Sequence, residues 1–291
     1  RLMIGKITLF LLFLLLIWGN LVSGLGAGLG CPDWPLCHGS VVPPYRWDIY
    51  MEYTHRLIGG VTSIFLVYLS YKRLRSYDGW TKLIPVLIVC LLAFQIVLGG
   101  IVVLLEIPVD LTTFHFANAM VIFSLTLYIV FFDGEKVKPI FTLSGYNGVF
   151  FFLAILIFFQ AVLGAYVRHS NSGLACPDFP TCLGYWIPPE LSGMVLNHFA
   201  HRVAAYVITL IVLGFFISTW FAEGFRRYRA AFGIALGLII IQIILGVGII
   251  HTKLHFAAAA LHLSVALLIL SLFLYTWFLG MRRIYAGSGR P

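Results

Sequence analysis

The chain is expected to be an all-α integral membrane protein, with eight transmembrane helices arranged as two tandem, pseudo-symmetric four-helix bundles. Three observations lead there. Hydrophobic residues make up 61% of the 291 and charged residues 10%, where a soluble domain carries roughly a quarter charged. Apolar runs close to the about 20 residues needed to span a bilayer recur along the whole length. The sequence also repeats itself. Cys31 and Cys37 return as Cys176 and Cys182 at an offset of 145, His55-Arg56 as His201-Arg202 at 146, and His115 as His262 at 147. A repeat of this length fixes the architecture before any local motif does.

The first run, 7–24, follows Arg1 and Lys6 and precedes Ser23, Gly24, Gly26 and Ala27, the layout of a cleaved leader. Its counterpart at 147–168 lies mid-chain, so the repeat makes it a true span. Runs at 50–71, 83–105 and 111–132 complete a first unit, residues 1–140. Runs at 147–168, 194–222, 230–251 and 257–280 build a second, residues 141–291. Gly99-Gly100 and Gly246, which follow Gln95 and Gln242, mark close helix packing. Cys90, unpaired within the third run, reads as a small buried apolar filler.

The net charge of +8 does not point to nucleic acid. Arg1, Lys6, Lys72, Arg73, Arg75, Lys82, Lys136, Lys138, Arg226, Arg227, Arg229, Arg282, Arg283 and Arg290 all fall on one side of the eight-span scheme, 14 of the 19 basic residues. Positive-inside asymmetry makes that side cytoplasmic, with both termini there. The long loops 25–49 and 169–193 then face outward, with the short connections 106–110 and 252–256. All four repeated histidines stand within about two turns of them. In a bacterium that outer side is oxidising.

An ionisable group inside a bilayer costs about 2.5–3.5 kcal/mol on insertion scales, and is a functional candidate by default. His55 and His115, like His201 and His262, fall on the second and fourth helices of their units, which can face each other across a bundle interior. One imidazole from each side is the arrangement that holds a haem iron axially. Zinc asks for a third converging ligand, and none stands out. The plainer reading is four buried hydrogen-bonding groups or a proton path; duplication at matched offsets favours haem ligation.

Glu52 stands one turn before His55, where the second unit has His198 before His201. A carboxylate there can act as a general base or stabilise positive charge. It is equally spaced to pair with Arg56 four residues on. The asymmetry suggests that the first unit reacts and the second holds a permanent cofactor. Arg56 and Arg202 are placed either to meet haem propionates or to snorkel to the headgroups. Cys31/Cys37 and Cys176/Cys182 sit in outward loops with Pro32, Pro35, Pro177 and Pro180. Disulfides are the economical reading, each contributing roughly 2.4 kcal/mol for a seven-residue loop; a redox role for the first pair is the rival. His198, His251 and His255 receive no role.

Cys-Pro-Asp-Trp-Pro-Leu-Cys-His-Gly (31–39), Glu-Tyr-Thr-His-Arg (52–56), Ala-Tyr-Val-Arg-His-Ser (165–170) with Leu-Ala-Cys-Pro (174–177), and Ala-His-Arg (200–202) come in order. Together they resemble haem A synthase, over about residues 5 to 280. The resemblance implies oxidation of the C8 methyl of haem O, in two steps, to the aldehyde of haem A. It assigns His55 and His115 to the substrate site, His201 and His262 to haem b, and Glu52 to the essential carboxylate. Cys31 and Cys37 match an outer-loop pair of one bacterial branch; His198 matches nothing. Ligation on both faces of the iron favours water as the oxygen source. The expected setting is a bacterial plasma membrane, with the haem sites toward the outer face and a membrane electron acceptor of the quinone type. Partnership with the haem O-producing farnesyltransferase follows from pathway logic, and glycine-rich helices permit a homo-oligomer. Two other classes fit the same residues: a diheme b-type electron-transfer cytochrome, and a haem carrier for oxidase assembly.

Overall fold

The computed structural model describes residues 2–133, 143 and 145–288, and among these every regular element is helical. In chain order these are α1 (Leu2–Gly24), α2 (Trp47–Ser76), α3 (Leu83–Leu104), α4 (Val109–Phe131), α5 (Gly145–His169), α6 (Gly193–Phe221), the single turn α7 (Glu223–Arg226), α8 (Arg229–His251) and α9 (Phe256–Ser288). Among the described residues seven helices are long and apolar enough to cross a membrane. The long helix outside that set is α2, because Asp48, Glu52 and Arg56 stand near its start and Lys72, Arg73 and Arg75 near its end. Several hydroxyls inside the helices are satisfied within their own helix. The hydroxyls of Thr62, Ser124, Thr126, Thr209, Ser264 and Ser271 each donate to the carbonyl one turn back, which is how hydroxyl side chains are tolerated without water.

Contacts divide the chain into two units, Arg1–Thr142 with Phe278–Pro291, and Leu143–Trp277. The boundary expected at 140/141, and Arg1, Lys136, Lys138 and Arg290 of the basic set, lie outside the described residues. In the first unit α1 packs on α2 and α4, and α3 packs on the same two helices. Arg73 ties the ends of α2 and α4 together. Its guanidinium donates to Ile129 O (2.6 Å) and pairs with Asp133 (2.7 Å), while Tyr77 Oη donates to Phe132 O (2.9 Å). Arg73 is therefore a buried charge paired with Asp133. Cys90, expected inside, is exposed on α3.

In the second unit α6 packs on α5 and α8, and α9 meets α5 through Phe273 on Phe150 and Trp277 on Phe151. Local geometry repeats with the sequence. The α3–α4 turn places Glu106 and Ile107 at φ +59° and +59°, and the α8–α9 turn places Lys253 and Leu254 at +52° and +67°. Consecutive left-handed residues that are not glycine are uncommon, so their recurrence at equivalent positions is a structural signature of the duplication.

Candidate functional site

Each of the two long loops, 25–46 and 170–192, contains a disulfide-closed turn folded around one aspartate. Cys31–Cys37 and Cys176–Cys182 are bonded. The Asp33 carboxylate accepts the His38 and Gly39 N–H groups (2.6 and 2.8 Å). Asp178 accepts those of Leu183 and Gly184 (2.6 and 2.9 Å), and the Thr181 hydroxyl donates to it as well. The Thr181 bond and the Gly184 and Leu183 amides hold the Asp178 carboxyl down at about 2, against an ordinary 3.8. The Gly39 amide, with that of His38, lowers Asp33 in the same direction.

An arginine from the following helix fastens each turn. Arg56 donates from Nη1 to Asp33 O and Leu36 O and from Nη2 to Cys31 O, all at 2.8 Å. Arg202 donates from Nη1 to Asp178 O (2.5 Å) and Thr181 O (2.6 Å) and from Nη2 to Cys176 O (2.6 Å). The third face of each guanidinium goes to the residue one turn earlier. Arg56 Nε meets Glu52 Oε1 at 3.0 Å, and Arg202 Nε approaches His198 Nε2 at 3.3 Å. Four of the five guanidinium protons are thus spent on the loop and the neighbouring side chain. The sequence offered propionate contact or snorkelling for these arginines; loop fastening is a third role that it did not suggest.

Glu52 is buried, 6% exposed, one turn from His55, and α1 fixes this stretch through Trp18 Nε1 donating to Met51 O (3.0 Å). His198 fills the matching place: the Cys176 N–H points at its Nδ1 (3.2 Å) while Arg202 faces its Nε2. A neutral imidazole accepts at one nitrogen alone, so one of these is a close approach rather than a bond. His198, without a role in the sequence, stands in for the carboxylate as the partner of the arginine.

The four repeated histidines sit deeper. The ring centres of His201 and His262 are 6.5 Å apart with planes at 61°. His55 and His115 lie close enough to interact electrostatically. All four Nδ1 atoms are buried without a hydrogen-bond partner among the described residues, a costly state in an apolar interior. Gln95 Nε2 lies 3.2 Å from His115 Nε2 and donates to His115 O (3.1 Å); Asn118 in turn holds its Oε1 (2.7 Å). Gln160 Nε2 donates to His201 O (2.8 Å). The sequence missed Gln160, because its repeat position is Leu15.

No group of three or more potential metal-ligating residues occurs among the described residues. A haem iron needs only two from the protein. An axial nitrogen stands about 2 Å from a first-row metal, and its ring centre roughly 1 Å further, so a collinear sandwich separates ring centres by about 6 Å. The 6.5 Å between the ring centres of His201 and His262 leaves room for such a metal, which would supply an interaction to rings whose Nδ1 atoms have no partner among the described residues.

Comparison with known proteins gives the family. Residues 45–274 match the COX15-CtaA family model, described as cytochrome oxidase assembly protein. The chain is 32% identical over 284 residues to the heme A synthase of Shouchella clausii, covering 93% of this chain and 92% of the relative. It is 30% identical over 284 residues to that of Halalkalibacterium halodurans (93% and 94% covered). With that of Bacillus licheniformis it shares 29% over 274 residues (89% and 89%). With a family match over most of its length and relatives aligned nearly end to end, the chain belongs to the COX15-CtaA family of cytochrome oxidase assembly proteins.

Proposed function

We propose that the protein is an oxidoreductase that converts haem O to haem A in a bacterial membrane. α2 then serves as the eighth span, the two units act as tandem four-helix bundles, and both termini are cytoplasmic. The substrate haem O is held between His55 and His115. His201 and His262 hold haem b, which supplies electron transfer out of the site when bound. The overall change, R–CH3 + H2O → R–CHO + 4 H⁺ + 4 e⁻, runs in two two-electron stages through the hydroxymethyl compound, with a membrane acceptor of the quinone class taking the electrons.

One observation carries the reading: two matched pairs of half-buried imidazoles whose Nδ1 atoms have no hydrogen-bond partner among the described residues, with a carboxylate one turn from only one pair. Arg56 engages Glu52 Oε1 and fixes its orientation, which leaves Oε2 to take a proton from the water whose oxygen bonds the methyl carbon once that carbon has given up one proton, with two electrons passing to the acceptor. In the second unit the same place is held by His198, so that unit lacks a carboxylate base and suits a resident cofactor. The disulfide loops and their arginines shield this level from the outer solution. A farnesyl-bearing macrocycle beside one unmodified haem b in the purified protein, and aldehyde oxygen derived from labelled water, are the expected results. Two unmodified haem b groups would instead support an electron-transfer cytochrome, and freely exchanging haem a carrier.

A further inference from the structure

We infer that Gly19, Gly99 and Gly164 are positioning residues, each a flat seat that sets the orientation of one imidazole, with Gly246 at the matching but looser place beside the fourth. The inference rests on the haem-ligating reading of His55, His115, His201 and His262. Each glycine lies on the helix that precedes the one bearing its histidine. A Cβ built at Gly19 would stand 3.0 Å from His55 Cε1, at Gly99 3.0 Å from His115 Cε1, at Gly164 2.9 Å from His201 Cε1, and at Gly246 3.4 Å from His262 Cε1.

The approach is head-on. At Gly19 both ring nitrogens of His55 are 3.7 Å away; at Gly99 those of His115 are 3.7 and 3.8 Å away; at Gly164 those of His201 are 3.5 and 3.6 Å away. The edge Nδ1–Cε1–Nε2 therefore abuts the neighbouring backbone, which blocks tilting of the ring toward that helix and directs the nitrogens to either side of it. Among the described residues nothing else locks these rings through Nδ1, since that atom has no hydrogen-bond partner in any of the four. Close backbone approach is what glycine permits in a membrane helix, and here it is spent on a side chain. The seats recur with the repeat, Gly19 to Gly164 at 145 and Gly99 to Gly246 at 147. Other helical glycines do not share the property: Gly60, Gly214, Gly237 and Gly248 have nothing within 4 Å.

An added methyl at Gly19, Gly99 or Gly164 forces the imidazole to give way by a few tenths of an ångström, whereas ligand-to-metal distances hold to about 0.2 Å. At Gly246 the methyl meets ordinary van der Waals contact. Alanine raises intrinsic helix propensity, so loss of binding in these variants does not come from a weakened helix.

The test uses the full chain in detergent, with haem per polypeptide from pyridine haemochromes and the low-spin ferric EPR spectrum, titrating haem b and haem O separately. Gly164→Ala is expected to weaken haem b retention about 10- to 100-fold, the range for residues that orient metal ligands, and to shift its EPR g values. Gly246→Ala and the control Gly237→Ala are expected to match the wild type. Gly19→Ala and Gly99→Ala are expected to weaken haem O retention and leave the haem b signal alone; they carry the same prediction if Gly164→Ala fails to accumulate. Wild-type stoichiometry and g values in Gly164→Ala, Gly19→Ala and Gly99→Ala would overturn the inference alone, as would equal losses in Gly237→Ala. A wild-type protein that binds no haem would overturn the haem reading with it.

Discussion

Replacing Arg202 by lysine measures what fastens the second disulfide loop. The guanidinium makes three bonds to loop carbonyls, to Asp178, Thr181 and Cys176, in directions that one ammonium cannot span together. A hydrogen bond with a charged partner contributes about 1.5–3 kcal/mol. If lysine keeps one of the three, two are lost, and the low end of the range, suited to a partly buried loop, gives about 3 kcal/mol. That corresponds to about a 100-fold larger population of the opened loop. The readout is amide hydrogen exchange at Leu183 and Gly184, whose N–H groups are protected by Asp178 inside this turn; local opening controls such exchange. Reduction of Cys176–Cys182 by dithiothreitol should accelerate in parallel. Arg56→Lys should do the same to His38 and Gly39, because its three carbonyl bonds mirror those of Arg202. Exchange within a factor of about three of the wild type would mean that the disulfide alone holds the turn, and the fastening argument fails.

The acid response of the second loop follows from Asp178. Its carboxyl is held at about 2 against 3.8, so its support is complete above about pH 4 and is lost as pH falls through about 2; flat protection of Leu183 and Gly184 across that window would contradict it. Removing Cys176 and Cys182 together as serines should cost about 2 kcal/mol of loop stability in the chain-entropy picture, read by the same exchange experiment, and less if Arg202 alone suffices to hold the turn.

What the sequence disclosed was what the bilayer makes conspicuous. Histidines in apolar runs and basic residues clustered at helix ends stand out because the solvent tolerates few alternatives there. Duplication then separated the meaningful histidines from His251 and His255. Other features depend on contacts that no local pattern encodes. Arg56 and Arg202 look like interfacial charges until the loop carbonyls from residues more than twenty positions earlier fold onto them. Gln160 reaches the His201 carbonyl across a helix pair but has Leu15 as its repeat position, so symmetry could not flag it. Cys90 was expected inside because a thiol is usually buried; in a membrane helix the apolar outer surface serves equally well. α2 shows the converse: the residues that make it chemically informative also lower its hydropathy below that of its neighbours.

The difference between the units comes down to the position three residues before a histidine and four before an arginine. In the first unit it is Glu52, an anion in a favourable i to i+4 pair with Arg56 at 3.0 Å. In the second it is His198, 3.3 Å from Arg202. Both arginines keep their loop bonds, so these bonds alone do not require a carboxylate at this position. Glu52→Gln keeps an oxygen for Arg56 and removes the base; general-base loss costs about 10²- to 10⁴-fold in rate, with haem content and loop exchange unchanged. Glu52→His converts the first unit to the pattern of the second and should be equally inactive while still holding both haems. His198→Glu restores an ion pair with Arg202 and should leave turnover at the first site intact. Turnover within about threefold of the wild type in both Glu52 variants would reduce this carboxylate to a structural partner of Arg56, and the chemical distinction between the units would have to be sought elsewhere.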